Sequence, residues 1–261
     1  MSLQNEKIWS RLRRGGLVLA ASIMLAACAT TSPAAVQAAN DVNDPLEEVN
    51  RVMFGIHNVA DKAVIAPVAR VYRFAIPEPG RKGVRNVLRN LNSPVILAND
   101  VLQGEGERAG TTLARFLINS TVGVLGLFDP ATDMGFERHF EDFGQTLAVH
   151  GMSEGPYLFL PIFGPSPPRD LLGRFVDVAM DPITWVGGED FQYFKYGRTA
   201  LQVIEFRAQN LDTLDEIERT SIDYYAAVRS LYRQSRDGAI RNGEFDFEEL
   251  PDLGDDFEDD F

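Results

Sequence analysis

Cysteine is almost missing from this sequence: Cys28 is the only one in 261 residues. A disulfide within the chain is therefore excluded, and packing has to hold the fold. Long apolar runs are missing too. The N-terminal one, residues 15–27 (GGLVLAASIMLAA), has 13 residues, short of the roughly 20 that a membrane-spanning helix needs. Bases are outnumbered, 25 against 38 acids, for a net charge of −13. Such a chain lacks the basic surface on which nucleic-acid binding depends. Catalytic signatures are absent as well. The three histidines, His57, His139 and His150, are too dispersed for a metal motif. Asp142-Phe143-Gly144 spells a kinase triplet but has neither a Gly-rich loop nor an H-R-D to accompany it. Gly104-x-Gly106 with Gly110 lacks the spacing of a dinucleotide fingerprint. Ser166 stands between Pro165 and Pro167 rather than in a nucleophile elbow. The expectation is a protein without catalytic residues, metal or cofactor.

What is present begins at the N-terminus. Lys7, Arg11, Arg13 and Arg14 precede the apolar run, and Leu25-Ala26-Ala27-Cys28 closes it. A basic segment, a short apolar core and small residues before a cleavage point make a secretory leader. The last four residues resemble the bacterial lipobox. There the thiol is alkylated by diacylglycerol, the leader is cut, and the new amino terminus is acylated. Cys28 is thus expected to carry covalent diacylglycerol and an N-acyl chain, and several acyl chains anchor far more firmly than one. Ala29, where aspartate would mark inner-membrane retention in enteric bacteria, points to the outer membrane. Cleavage after residue 27 removes four bases and one acid, Glu6, leaving 21 against 37 and a net charge of −16.

Residues 28–43 are small and polar and read as a lipidated tether. A helical body is expected over 44–243, and an acidic, disordered tail over 244–261, where ten acids meet no base. Leu46, Val49, Met53, Ile56, Ala60 and Val64 recur at helical spacing. Pro67 is expected to end or kink that helix, and Pro77, Pro79 and Pro94 to chop the next segment into short helices. Residues 111–128 are the most apolar stretch of the body, interrupted by Arg115 and Asn119. They read either as a buried core helix or as a helix in one leaflet with Arg115 turned from lipid. Residues 129–170 should be mostly loop, and 171–198 show no clear period. Leu201, Ile204, Ala208, Leu211, Leu214 and Ile217 then begin a long amphipathic helix that extends to about Leu231 and can be interrupted. Sustained alternation of the kind a β-barrel strand shows is scarce.

A series of strings runs through this body. They are Asp44-Pro45-Leu46-Glu47 with Asn50-Arg51, Leu102-Gln103-Gly104, and Arg115-Phe116 with Asn119 and Gly123. Then come Asp142-Phe143-Gly144-Gln145-Thr146-Leu147, Gly155-Pro156-Tyr157, Gly164-Pro165-Ser166 with Arg169-Asp170, and Arg207-Ala208-Gln209. In this order and spacing they resemble the MlaA/VacJ family of outer-membrane lipoproteins over residues 44–243. The resemblance implies an all-α fold: a ring-like assembly of short helices seated in the outer membrane around an amphipathic channel. It implies a lipoprotein that takes stray phospholipid from the outer leaflet and passes it to the periplasmic carrier MlaC, working beside a trimeric porin. A phospholipase-like enzyme using Ser166 or a histidine, and a lipoprotein that only scaffolds porins, are the alternatives. Arg115, Asn119, Asn50 and Arg51 are the expected lipid-path or partner residues. Asp142, Gly144, Gln145, Gly155, Gly164, Arg169 and Asp170 are expected to shape loops.

Overall fold

The computed structural model describes residues 43–243. The leader, Cys28, the rest of the tether and the acidic tail lie outside the described residues. Helices dominate, and the described residues form two compact units. Among the described residues, one holds 43–59 together with Gly155–Pro168, and the other holds Ala60–Glu154 and 169–243.

The first unit is helix α1 (Glu47–Ala60) packed on a small hairpin, β1 (Phe159–Leu160) and β2 (Gly164–Pro165). The hairpin is antiparallel, with Phe159 opposite Pro165 and Leu160 opposite Gly164. Asn50 fastens helix to hairpin. Its Nδ2 donates to the Asp44 carboxylate at 2.8 Å and to the Tyr157 carbonyl at 2.9 Å, and its Oδ1 accepts from Phe159 N at 2.9 Å. Phe159 also meets Phe54 edge to face, with 5.2 Å between ring centroids.

In the second unit a π turn (Asp61–Ile65) leads into α2 (Ala66–Ala75). Pro67, expected to end or kink the helix, does not end it, and a π turn directly precedes it. It falls in the first turn of the segment that the π turn sets off, where a missing N–H costs little. Pro77 does break the chain, but Pro79 lies in the first turn and Pro94 in the interior of a 26-residue helix, α3 (Glu78–Gln103). The expectation of short helices throughout is thus corrected: propensity alone would place a break at Pro94, and packing of α3 along α4 (Gly106–Thr121) overrides it. Beyond α4 the chain turns back at residues 122–128, with left-handed backbone at Val124, Leu125 and Gly126. The apolar stretch at 111–128 is therefore a helix plus a tight turn. A β-carbon on Gly126 would lie 2.5 Å from Asn90 Cβ, so the return is closed by glycine.

Short helices α5 (Pro130–Asp133) and α6 (Phe143–Val149) come next. Residues 171–198, which show no sequence period, lie mostly in α7 (Pro168–Met180), a 3₁₀ turn (Pro182–Trp185) and the start of α8 (Glu189–Gln209). The long C-terminal helix is interrupted twice, giving α8, α9 (Leu211–Thr220) and α10 (Tyr224–Ile240). Gly238 sits inside α10. A small apolar core forms where α2 meets α8 and α9, from Ala66, Ala69, Ala208 and Leu211.

Along α4, and in part along α3, the buried face is polar and apolar side chains point outward. The buried residues of α4 are Ala109, Thr112, Arg115 and Asn119, while Leu113 and Leu117 are exposed. Helix α3 buries Asn86, Asn90, Asn99 and Asp100 beside Leu88, Val95 and Ile96, and exposes Val101 and Leu102. On α2, Val71 and Phe74 face outward, Phe74 with 93% of its surface exposed. The helical run from Glu47 to Ala75 is long and apolar enough, by length and composition, to cross a bilayer.

Candidate functional site: a polar cavity in the second unit

The polar faces of α3 and α4, the loop at 136–142 and one side of α8 enclose a cavity of about 810 Å³. This lies within the size range of ligand sites. Its lining is mixed. Arg85, Arg89, Arg115 and Arg138 contribute charge, Asn86, Asn90 and Gln202 contribute amides, and Leu88, Ile96, Phe140 and Phe206 contribute apolar surface.

Asp129, at the N-terminus of α5, organises one wall. It accepts from Arg115 Nη2 on both oxygens (2.8 and 2.9 Å), from Asn119 Nδ2 (2.8 Å), from Thr132 Oγ1 (2.8 Å) and from Arg138. Burial pushes this carboxyl up, but hydrogen bonds from Thr132, Asn119 and Arg115 outweigh it and hold its pKa well below the usual carboxylate range. Arg115 spends its remaining donors on the Phe136 carbonyl and on Thr132. It is a buried, paired arginine at the edge of the cavity, joined there by Asn119. Behind the same wall the buried Asp100 accepts from Thr112 Oγ1 at 2.6 Å and lies 3.0 Å from His139 Nε2.

The Asp142–Leu147 string and the Arg169-Asp170 pair meet in a second cluster. Asp142 caps α6 by accepting from Gln145 N at 2.9 Å. Arg236, from α10, reaches both carboxylates: Nη1 to Asp142 Oδ2 at 2.5 Å, and Nη2 to Asp142 Oδ1 at 2.7 Å and Asp170 Oδ1 at 2.8 Å. Arg169 and the Tyr232 hydroxyl also donate to Asp170. Gly144 sits under this cluster. A β-carbon there would lie 2.3 Å from Arg236 Nη2, and one on Gly173 would lie 2.3 Å from Gly144 N, so two backbones touch. With its amide nitrogen turned toward them, the buried Gln145 donates to Glu141 Oε2 (3.1 Å) and Ala239 O (3.0 Å).

Next to this cluster Asp177 accepts from Asn99 Nδ2 and Phe143 N, each at 3.0 Å. Burial, with the Asp142 charge adding to it, pushes its carboxyl up to about 6. A folded-state pKa raised above the unfolded value means that stability present below pH 4 is lost as pH rises through 6. Asp177→Asn keeps an acceptor for both donors and removes the charge. It is expected to stabilise the protein at pH 7 by about 1–3 kcal/mol and to leave it little changed at pH 4. Thermal melts at both pH values check this, and equal shifts at the two would refute the assignment.

The sequence-predicted residues thus separate. Arg115 and Asn119 line the cavity, whereas Asp142, Gly144, Gln145, Arg169 and Asp170 build the ion cluster. Asn50 and Arg51, expected on a lipid path, are in the first unit. Asn50 is buried with its amide committed to the hairpin, and Arg51 pairs with Glu47 on the exposed side of α1. Gly155, ahead of the hairpin, and Gly164, the first residue of β2, take left-handed backbone at φ 76° and 74°. Ser166, the proposed nucleophile of the enzymatic alternative, is fully buried and donates its hydroxyl to the Gly164 carbonyl at 3.0 Å. Sequence pattern does not single out Asp129, Arg236 or Arg89. Only Asp129 carries a local signal, an acid before Pro130 at a helix start.

Comparison with known proteins places these observations in a family. The profile of the family described as MlaA lipoprotein matches residues 42–239. The intermembrane phospholipid transport system lipoprotein MlaA of Haemophilus influenzae is 34% identical over 241 residues, covering 90% of this chain and 94% of that protein. The Escherichia coli K12 protein of the same description is 34% identical over 213 residues, covering 80% and 83%. A solved chain, from work on the structural basis for maintenance of bacterial outer membrane lipid asymmetry, superposes with a TM-score of 0.67. It is 34% identical and covers 76% of this chain and 98% of its own.

Proposed function

The chain belongs to the MlaA family of lipoproteins, and on that premise we propose that it removes mislocalised phospholipid from the outer leaflet of the outer membrane and passes it inward, maintaining lipid asymmetry. It is a Gram-negative envelope lipoprotein that acts on phospholipid and membrane. In this reading Cys28 bears the anchor at the periplasmic face of the outer membrane, a trimeric porin is the neighbour, and the soluble carrier MlaC is the recipient.

One observation carries the reading furthest: helices that turn apolar residues outward enclose a cavity with charged and amide walls. Moving a phospholipid between leaflets is slow because a charged headgroup must leave water for hydrocarbon, at a cost of many kcal/mol. A polar cavity replaces the lost water with fixed dipoles and charges. Outward-facing Leu113, Leu117 and Phe74 suit contact with acyl chains, and buried Arg115 and Asn119 suit a headgroup route.

Deletion of the gene is expected to raise surface-exposed phospholipid and to sensitise cells to detergent with EDTA, with both reversed by the wild-type chain. Labelling of surface phospholipid measures the first effect, and an unchanged level in the deletion strain would overturn the proposal.

A further inference from the structure

The charge of the cavity runs against that of the chain. Four arginines, Arg85, Arg89, Arg115 and Arg138, line it against two carboxylates, Asp129 and Glu205, in a protein of net charge −13. Local concentration of one sign in a concave, partly apolar site attracts the opposite sign.

Three of these arginines are already spent. Arg115 and Arg138 share Asp129. Arg85 bridges Glu78 at 2.6 Å and Glu205 at 3.0 Å. Among the described residues, Arg89 is the one cavity-lining arginine with no carboxylate partner. Arg89 is an exposed residue of the cavity lining, and Asn92 and Ser93, three and four residues on, line it from the same side of α3. Partial desolvation, with the positive charges of Arg138 and Arg85, pulls its pKa below the ordinary arginine value, and Asp129 and Glu205 only partly offset this. An anion placed over Arg89 relieves that repulsion.

Resting on the phospholipid-transport reading, we infer that Arg89 is the residue that holds the phosphate of a phospholipid headgroup in this cavity. A guanidinium presents paired donors that match two phosphate oxygens, an interaction a lysine reproduces only as a point charge. Phe140 and Phe206, both largely exposed and on the same lining, offer apolar contact beside it. A phosphate carrying a hydrocarbon part fits this pairing better than free phosphate does. Arg115 and Arg138 stay with Asp129, so they shape the site and Arg89 contacts the ligand.

The test uses the purified full-length protein in non-ionic detergent, titrated with dihexanoyl phosphatidylglycerol, dihexanoylglycerol and inorganic phosphate. Arg89→Ala is expected to weaken phosphatidylglycerol binding by about tenfold or more and to leave dihexanoylglycerol within about twofold, with Arg89→Lys intermediate. Inorganic phosphate should bind the wild type at least about tenfold more weakly than the lipid. Unchanged phosphatidylglycerol affinity in Arg89→Ala would overturn the inference. So would an equal loss for dihexanoylglycerol, or inorganic phosphate binding as tightly as the lipid. Arg89 is exposed and helical, so alanine should preserve the circular dichroism spectrum, and a misfolded alanine variant leaves the lysine comparison to decide. If Arg89→Ala binds normally while the deletion strain still accumulates surface phospholipid, the inference fails and the transport reading stands.

Discussion

Replacing Arg236 with methionine is expected to destabilise the second unit by about 3–5 kcal/mol at pH 7, the cost of removing one partner from a buried ion cluster. Arg236 is the cation that both Asp142 and Asp170 face, and all three are largely buried. Methionine fills similar space without the charge, so the loss reports the two carboxylates rather than a cavity. In the wild type burial raises both carboxyls, but Arg236 with Gln145 at Asp142, and Arg169, Tyr232 and Arg236 at Asp170, hold both pKa values below the ordinary range. Stability from a depressed carboxylate is present above its unfolded pKa and lost as pH falls through the folded value. In the variant, burial and mutual repulsion raise both pKa values, so its stability improves as pH falls. The deficit should therefore be largest near neutrality and shrink below about pH 5. Denaturant titrations at pH 7 and pH 4.5 measure this. A deficit under about 1 kcal/mol at pH 7, or one independent of pH, would contradict the assignment.

Asp129→Ala is expected to cost a similar amount, about 3–5 kcal/mol, because the buried Arg115 then loses its carboxylate partner. Asn119 and Thr132 each lose an acceptor as well. The pH dependence differs from that of Arg236→Met. Asp129 is held well below the usual range, so its contribution is complete at neutrality and persists as the solution is acidified to about pH 4. It fades only at stronger acidity. The gap between wild type and Asp129→Ala should stay flat from pH 7 to about pH 4 and close below that. A gap that shrinks between pH 7 and pH 5 would assign the stabilisation to another group. Asp129→Ala also leaves Arg138 without its carboxylate, so with Arg115 and Arg89 anionic ligands should find three unpaired arginines in the cavity instead of one.

Much of this was legible in the sequence, for identifiable reasons. Helix α1 carries apolar residues at regular three- and four-residue steps, and period alone finds it, whereas α4 shows only as the apolar run that begins at residue 111. Arg115 and Asn119 stand out because a charge and an amide interrupt an apolar run. Pro94 misleads because a break is predicted from local propensity, whereas α3 is held by its length of packing against α4. Leu201, Ile204 and Ala208 mark the second half of α8, but its first half escapes, since the helix packs against the π turn, α2, α3 and α9 and no single apolar stripe runs its length. The polar buried face of α4, and in part of α3, is invisible to periodicity, which reports that a helix is two-sided but not which side faces inward. Arg236 could not be found locally, since Asp142 and Asp170 lie 94 and 66 residues before it. Arg89 is distinguished only by the absence of a partner, which requires knowing where every nearby carboxylate points.

The separation between Asp142 and Arg236 also sets an order of events. A chain is made from its N-terminus, and 94 residues at about 5–20 residues per second take roughly 5–20 seconds to emerge. Through that interval Asp142 lacks the Arg236 cation that it faces in the fold, whereas Asp170, made 28 residues later, already has Arg169 beside it. The last described helix is thus the part that locks the second unit. A nascent chain that has not yet reached α10 lacks the Arg236 contacts to Asp142 and Asp170.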